Sequence, residues 1–262
     1  MRWFATRITA ALLLTLAWLA GRAGASDIDN EISRKVSAAQ IPIEKIAEPL
    51  RAHVDDVLQN STLFLRGPSE TFPCRPGVYR WLLDHPDWGI AGWKALSGTA
   101  ITIDRQADGS FLGKDNQGGS LRWKCVVNEP GRRVWYAEGT GRLAPFLPTA
   151  TLKAVLSLRY QEVIGDDGRF GIRHRTEAFA VYDGKAAAWF SKLAGVPPDT
   201  AGKKILEQVE IFFSGMAYYL SEHPEWSRQT LEPKAGNADD RQKFEILKHE
   251  LAQANRDRPP RR

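Results

Sequence analysis

The sequence predicts an α+β domain built on an antiparallel sheet, and three observations carry that expectation. Three successive hairpin signatures fill the middle of the chain. Two short helical patterns, split by a proline, precede them. A long amphipathic helical pattern follows them.

The chain of 262 residues opens on MRWFATR, which carries Arg2 and Arg7 and no acid. The apolar run ITAALLLTLAWLAG comes next, followed by the small residues Ala23, Gly24 and Ala25. That order is the signature of an export signal, so residues 1–25 are expected to be removed after Ala25. The mature protein would then be exported, periplasmic or extracellular. No later stretch is apolar for long enough to span a bilayer, so it would be soluble after cleavage. An uncleaved N-terminal anchor is the alternative. No cysteine lies near the cut, which excludes a bacterial lipoprotein site.

The segment 26–61 is expected to be an N-terminal helical extension. In PIEKIAEPLRAHVDDVLQN, residues Ile43, Ile46, Leu50, Val54 and Leu58 recur at helical steps, with Pro49 marking a kink or break. The main domain is expected over 62–223. STLFLRGPSETFPC reads as extended, interrupted at Gly67-Pro68. VYRWLLDHP and DWGIAGWKAL are helical patterns divided at His85-Pro86, since proline disfavours helix in the residue before it and suits a new first turn.

The hairpins come next. AITID and SFLGKD flank Ala107-Asp108-Gly109, SLRWKCVVN and RVWYAEG flank Glu129-Pro130-Gly131, and KAVLSLRYQEVI and RFGIRHRTEAFAVY flank Gly165-Asp166-Asp167-Gly168. Between the second and third, LAPFLPTATL carries Pro145 and Pro148 and reads as a short helix or lid-like insertion. After the last strand, AAAWFSKLAG leads into TAGKKILEQVEIFFSGMAYYLSEH, where Ile205, Val209, Phe212, Phe213, Met216 and Leu220 form one apolar face. The segment 224–262 is expected to be a polar tail, partly helical or disordered, with little to bury.

This order of elements (strand, helix, helix, six strands as three hairpins, long C-terminal helix) resembles the helix-grip fold of START lipid-transfer domains, plant pollen-allergen-like proteins and polyketide cyclases. The resemblance covers residues 62–222 and implies a curved antiparallel sheet of about seven strands wrapped around the last helix. It further implies a hydrophobic cavity between the two. A lipocalin-like barrel would need two further strands where helical patterns stand.

Removing residues 1–25 takes away three arginines and no acid, leaving 33 basic against 31 acidic side chains. So small an excess gives no ground for a nucleic-acid partner. The tail RDRPPRR and the tryptophans Trp81, Trp88 and Trp93 suggest at most a transient membrane-surface contact. Packing of helices onto the sheet is the plainer role for those rings. The two cysteines, Cys74 and Cys125, can pair in an oxidising compartment if geometry allows, closing a loop that stabilises by roughly 4–5 kcal/mol. No P-loop, dinucleotide fingerprint, GxSxG or HExxH occurs, and the five histidines lack ligand spacing, so no cofactor and no metal are expected.

Alternation along the third hairpin puts Leu158, Tyr160 and Glu162 on one face with Ile172, His174 and Thr176, provided Ile164 lies opposite Phe170. Ser157, Arg159, Gln161, Arg173, Arg175 and Glu177 then form the wet face. In the second hairpin, Trp123 and Cys125 are expected to face Tyr136 and Glu138. An inward face carrying Tyr136, Glu138, Tyr160, Glu162, His174 and Thr176 is more polar than a dry core tolerates. These groups satisfy one another structurally, or they orient the polar part of a ligand lodged against Trp123 and Leu158. A third reading is catalytic, with His174 as general base tuned by Glu162 and Tyr160 as donor to an oxyanion. Three functions follow: an exported carrier of a lipid or other apolar small molecule, an enzyme on the same scaffold, or a non-catalytic envelope interaction protein.

Overall fold

The computed structural model describes residues 30–115, 119–141, 150–182 and 198–256. The leader expected over 1–25, most of the 143–151 insertion, the pattern AAAWFSKLAG and the last six residues lie outside them. The chain divides into two units, residues 1–42 and 43–262. In the first, a helix over 30–39 (α1) is laced by Glu31 to Arg34 at 3.3 Å and Lys35 at 3.1 Å.

The second unit begins with a 3-10 turn, Ile43–Lys45, and helix α2, Leu50–Asn60, so Pro49 breaks the helical pattern. The sheet holds eight antiparallel strands: β1 (Leu63–Arg66), β2 (Glu70–Pro73), β3 (Thr102–Arg105), β4 (Phe111–Lys114), β5 (Ser120–Glu129), β6 (Arg132–Gly141), β7 (Ala150–Ile164) and β8 (Phe170–Tyr182). Their order is β1-β8-β7-β6-β5-β4-β3, with β2 also on β8. The eighth strand arises because the first predicted strand is cut at Gly67-Pro68, and its halves pair with successive segments of β8. Helices α3 (Pro76–Asp84) and α4 (Pro86–Ser97) fill the connection to β3. Helix α5, Pro198–Glu222, then crosses the inner face of the sheet, with Trp135 of β6 stacked on Phe213 of α5 at 6.0 Å. The expected α+β arrangement, an open antiparallel sheet against a long C-terminal helix, is therefore realised.

Two histidine–proline junctions turn the chain at matching points. His85 ends α3 and His223 ends α5, and Pro86 and Pro224 open α4 and α6 (Pro224–Leu231) at positions where a missing N–H costs nothing. Close approach of α5 to β1 depends on Gly202: a Cβ there would fall within 2.8 Å of Leu63 and Leu65 side-chain carbons.

The polar tail expected after Pro224 is part of the core. Helix α6 and helix α7, Ala238–Arg256, contribute Leu231, Phe244, Leu247 and Leu251, each at most 3% exposed, to the cluster that holds Trp81, Trp88 and Met216. Four apolar side chains spaced over two helices suffice to dock them, although the surrounding sequence is charged. Trp81, Trp88 and Trp93 pack within this layer, as the structural reading of those rings expected.

The outer face of the sheet is divided. Under α2 it is apolar: Val155 and Phe179 are fully buried beside Val54 and Val57. Arg173 and Arg175 are exposed as expected, but Ser157 and Glu177 are buried, because the buried zone reaches their row. Glu177 accepts from Arg66 at 2.9 Å and Arg159 at 3.2 Å, which compensates its burial.

Candidate functional site

The third hairpin has the predicted register: Ile164 lies opposite Phe170, Tyr160 opposite His174 and Leu158 opposite Thr176. The second does not. Val127 pairs with Val134, but a β-bulge follows, so Cys125 faces Trp135 and Trp123 faces Ala137. One extra residue, Val126, shifts every later pair by one, and with a side-chain period of two that carries the partners to the other face. Tyr136 and Glu138 therefore lie on the outer face. There Tyr136 donates to Glu138 at 3.0 Å and stacks on His53 of α2 at 5.7 Å.

The inner face thus reads, row by row, Trp123–Ala137–Ala154–Ala180 and Cys125–Trp135–Leu156–Ala178. Three alanines stand side by side there, Ala154 and Ala180 packing with Leu63, Leu65 and Leu206. Along this part Leu121, Trp123, Leu152, Ala154, Leu156 and Ala178 are only half-buried, as are Val209 and Phe212 of α5. Farther along the same strands Leu158, Tyr160, Ile172, His174 and Thr176 are sealed. The interior therefore grades from a half-buried apolar stretch to a closed end.

The closed end is polar. Four buried side-chain atoms there have no hydrogen-bond partner: Tyr160 Oη, His174 Nε2, Thr176 Oγ1 and Glu210 Oε1. Buried polar groups are paired in the great majority of cases, so four orphans in one place need an explanation. His174 Nδ1 lies 2.7 Å from Tyr79 Oη, and Nε2 lies 3.5 Å from Glu70 Oε2, too far for a full bond. A carboxylate opposite Nε2 favours the tautomer with its proton there, which leaves Nδ1 to accept from Tyr79. Burial pushes the His174 pKa below its ordinary value, with Glu70 working against it. Neutral imidazole is the resting form.

Glu210 was not foreseen. It stands on the buried stripe of α5, in the series Leu206, Glu210, Phe213, Ala217, Leu220, where its spacing matches the apolar residues and its chemistry does not. A lone carboxylate at a core-facing helical step was the signal available. By contrast Ile205, assigned to that face, is 49% exposed. Burial, then the charge of Glu70, pushes the Glu210 carboxyl up to about 7, while Thr176 draws it down. Thr176 sits beside the carboxyl without reaching hydrogen-bond geometry, so Oε1 and Oγ1 stay unpartnered. A carboxyl titrating near neutrality can exchange a proton with a bound group. Glu162 cannot take the tuning role expected of it: it pairs with Arg80 of α3 near the tip of the hairpin, half-exposed.

Cys74 and Cys125 are both free. Cys74, at the β2–α3 junction, is buried against Ser221 of α5 with its Sγ 3.4 Å from the serine oxygen. Cys125 sits on β5, separated from β8 by two strands. Burial raises their pKa values to about 12 and about 11, so neither is a ready nucleophile.

A cavity of about 350 Å3 opens at the surface between Asp87, the β3–β4 turn, Lys234 and Lys243. Its charges largely serve one another: Lys243 pairs with Asp240 at 3.2 Å, and Lys234 lies 3.9 Å from Asp87. Among the described residues no cluster of His, Cys, Asp and Glu suits a metal ion, and no helix is long and apolar enough to cross a membrane.

No protein-family model matches the sequence, and no curated protein matches it. Solved structures similar to this chain include a conserved protein from Geobacillus kaustophilus, at 12% identity and TM-score 0.35, over 73% of this chain and 97% of that one. Ara h 8.0201 is similar at 14% identity and TM-score 0.34, over 60% and 97%. The di-domain ARO/CYC StfQ from the steffimycin biosynthetic pathway is similar at 11% identity and TM-score 0.35, over 72% of this chain and 57% of that one. At such identities and scores, the function has to be read from this chain's own residues.

Proposed function

We propose that this chain is a binding protein that holds a lipid or other apolar small molecule between the inner face of β5–β8 and helix α5. The observation that carries the reading is the graded interior: an alanine row among half-buried apolar side chains, leading to four buried polar atoms without a hydrogen-bond partner. Apolar surface shielded from water by a guest stabilises the complex by roughly 25 cal/mol per Å2, while the polar end fixes which way the guest lies. The leader reading of residues 1–25 supports a site of action outside the cytoplasm.

Titration with the fluorescent apolar reporter N-phenylnaphthylamine tests this reading. Wild type is expected to bind and enhance it. Ala154→Trp, which fills the groove from the alanine row, is expected to abolish the enhancement while leaving the far-UV circular dichroism unchanged. Equal enhancement in both proteins, or none in wild type, counts against the groove.

A further inference from the structure

We infer that the closed end of the groove selects ligands whose polar end is neutral and hydroxyl-bearing, and rejects carboxylates and phosphates. The inference rests on the carrier reading above and adds the chemical class of the guest. Three elements supply the four selecting atoms: Tyr160 from β7, His174 and Thr176 from β8, and Glu210 from α5. All four residues are at most 7% exposed, so whatever meets them has shed its own water.

Their chemistry is specific. Tyr160 and Thr176 can each donate or accept, and His174 Nε2, with Glu70 at 3.5 Å, is a donor in the tautomer that its partners favour. Glu210 accepts when ionised and donates when protonated, and it changes over near neutral pH. A hydroxyl, which both donates and accepts, satisfies such a set in either protonation state of Glu210. An anionic end would instead meet the buried carboxyl of Glu210, with the half-exposed Glu70 carboxylate near it, and like charges repel. The inner-face cation Arg133 does not relieve this, because its guanidinium already serves Asp84 and the carbonyls of Glu129 and Arg132. A cationic end must lose its hydration to reach a carboxyl that burial raises to about 7 and so leaves only partly ionised at neutral pH.

The position of the set fits an end rather than a middle. Thr176 lies in the row next to Ala178 and Leu156, the last half-buried residues of the groove, and beyond it the core is closed by Tyr79, Phe72 and Ile172. A chain lying along the groove meets these atoms with its terminus.

The test is displacement of N-phenylnaphthylamine at pH 7 by n-decanol, n-decanoate, n-decylamine and n-decane. Decanol is expected to bind at least about ten-fold more tightly than any of the other three, which is about 1.4 kcal/mol. Glu210→Gln, which keeps the shape and removes the charge, is expected to raise decanoate affinity and so narrow the preference for decanol over decanoate by at least about three-fold; an unchanged preference counts against the role given to Glu210. Decanoate or decylamine binding as tightly as decanol in wild type overturns the inference, as does equal binding of decane. Failure of the reporter itself to bind removes the groove and the inference together, so the two failures are distinguishable.

Discussion

Glu210 Oε1 occupies the place where a side chain on Gly67 would begin: a Cβ built on Gly67 falls 1.8 Å from that oxygen. The break between β1 and β2 and the buried carboxylate of α5 are thus one feature. Gly67 anchors the break by donating its N–H to the Thr176 carbonyl at 2.8 Å, and its bare α-carbon makes room for the acid.

This coupling is measurable. Gly67→Ala alone is expected to lower unfolding stability by about 1–3 kcal/mol, the usual cost of forced repacking. In a Glu210→Ala background the same change is expected to cost well under 1 kcal/mol, since nothing then occupies the space. Urea denaturation of the four proteins gives the cycle. Equal costs in both backgrounds would show that the two residues do not compete.

The acid also gives stability a pH signature. A carboxyl raised to about 7 in the fold, from an ordinary value near 4.5, binds its proton more tightly folded than unfolded. Its contribution is therefore fully present below about pH 4.5 and is lost as pH rises to about 7, by about 3 kcal/mol at most. His174 acts oppositely, because its lowered pKa favours the fold above about 6.5. Glu70, Glu207 and Thr176 also bear on Glu210, so the comparison that isolates it is wild type against Glu210→Gln. The variant is expected to gain stability relative to wild type between pH 5 and pH 8 (roughly, from the linkage above). A constant difference across that range would contradict the burial of Glu210.

The two free thiols predict a simple titration. Ellman's reagent is expected to find two reactive thiols in denatured, unreduced protein and a slow or absent reaction in the folded one, since burial holds both as neutral thiols. Loss of both thiols until a reductant is added would show a disulfide.

Helix α7 is expected to be indispensable. Leu247 is fully buried, so Leu247→Ala should cost about 2–5 kcal/mol, and truncation after Asn237 should prevent cooperative thermal unfolding. A truncated chain that melts like wild type would return this segment to the role of a tail.

The sequence made the architecture legible because each hairpin had a turn signal and each helix a proline or glycine boundary. The third hairpin could even be set in register, since Ile164 and Phe170 bracket its loop. Two features escaped for physical reasons. The bulge at Val126 leaves no mark in a run as uniformly β-prone as SLRWKCVVN, yet it moves Tyr136 and Glu138 to the outer face. The burial of Glu177 and of α7 depends on what packs over them, which alternation and mean polarity do not encode. Glu210 was readable as a carboxylate in step with Leu206 and Phe213, but partners such as Gly67 become visible only when the sheet closes. The bulge itself is testable: Tyr136→Phe should leave reporter binding unchanged, and Trp123→Ala should weaken it.

The most direct measurement of the central claim is native mass spectrometry of the protein purified from its own source, followed by solvent extraction of what travels with it. The account predicts a defined apolar molecule that is released on denaturation and is missing from Ala154→Trp. A clean unliganded mass that does not shift on challenge with lipids extracted from that source would contradict it.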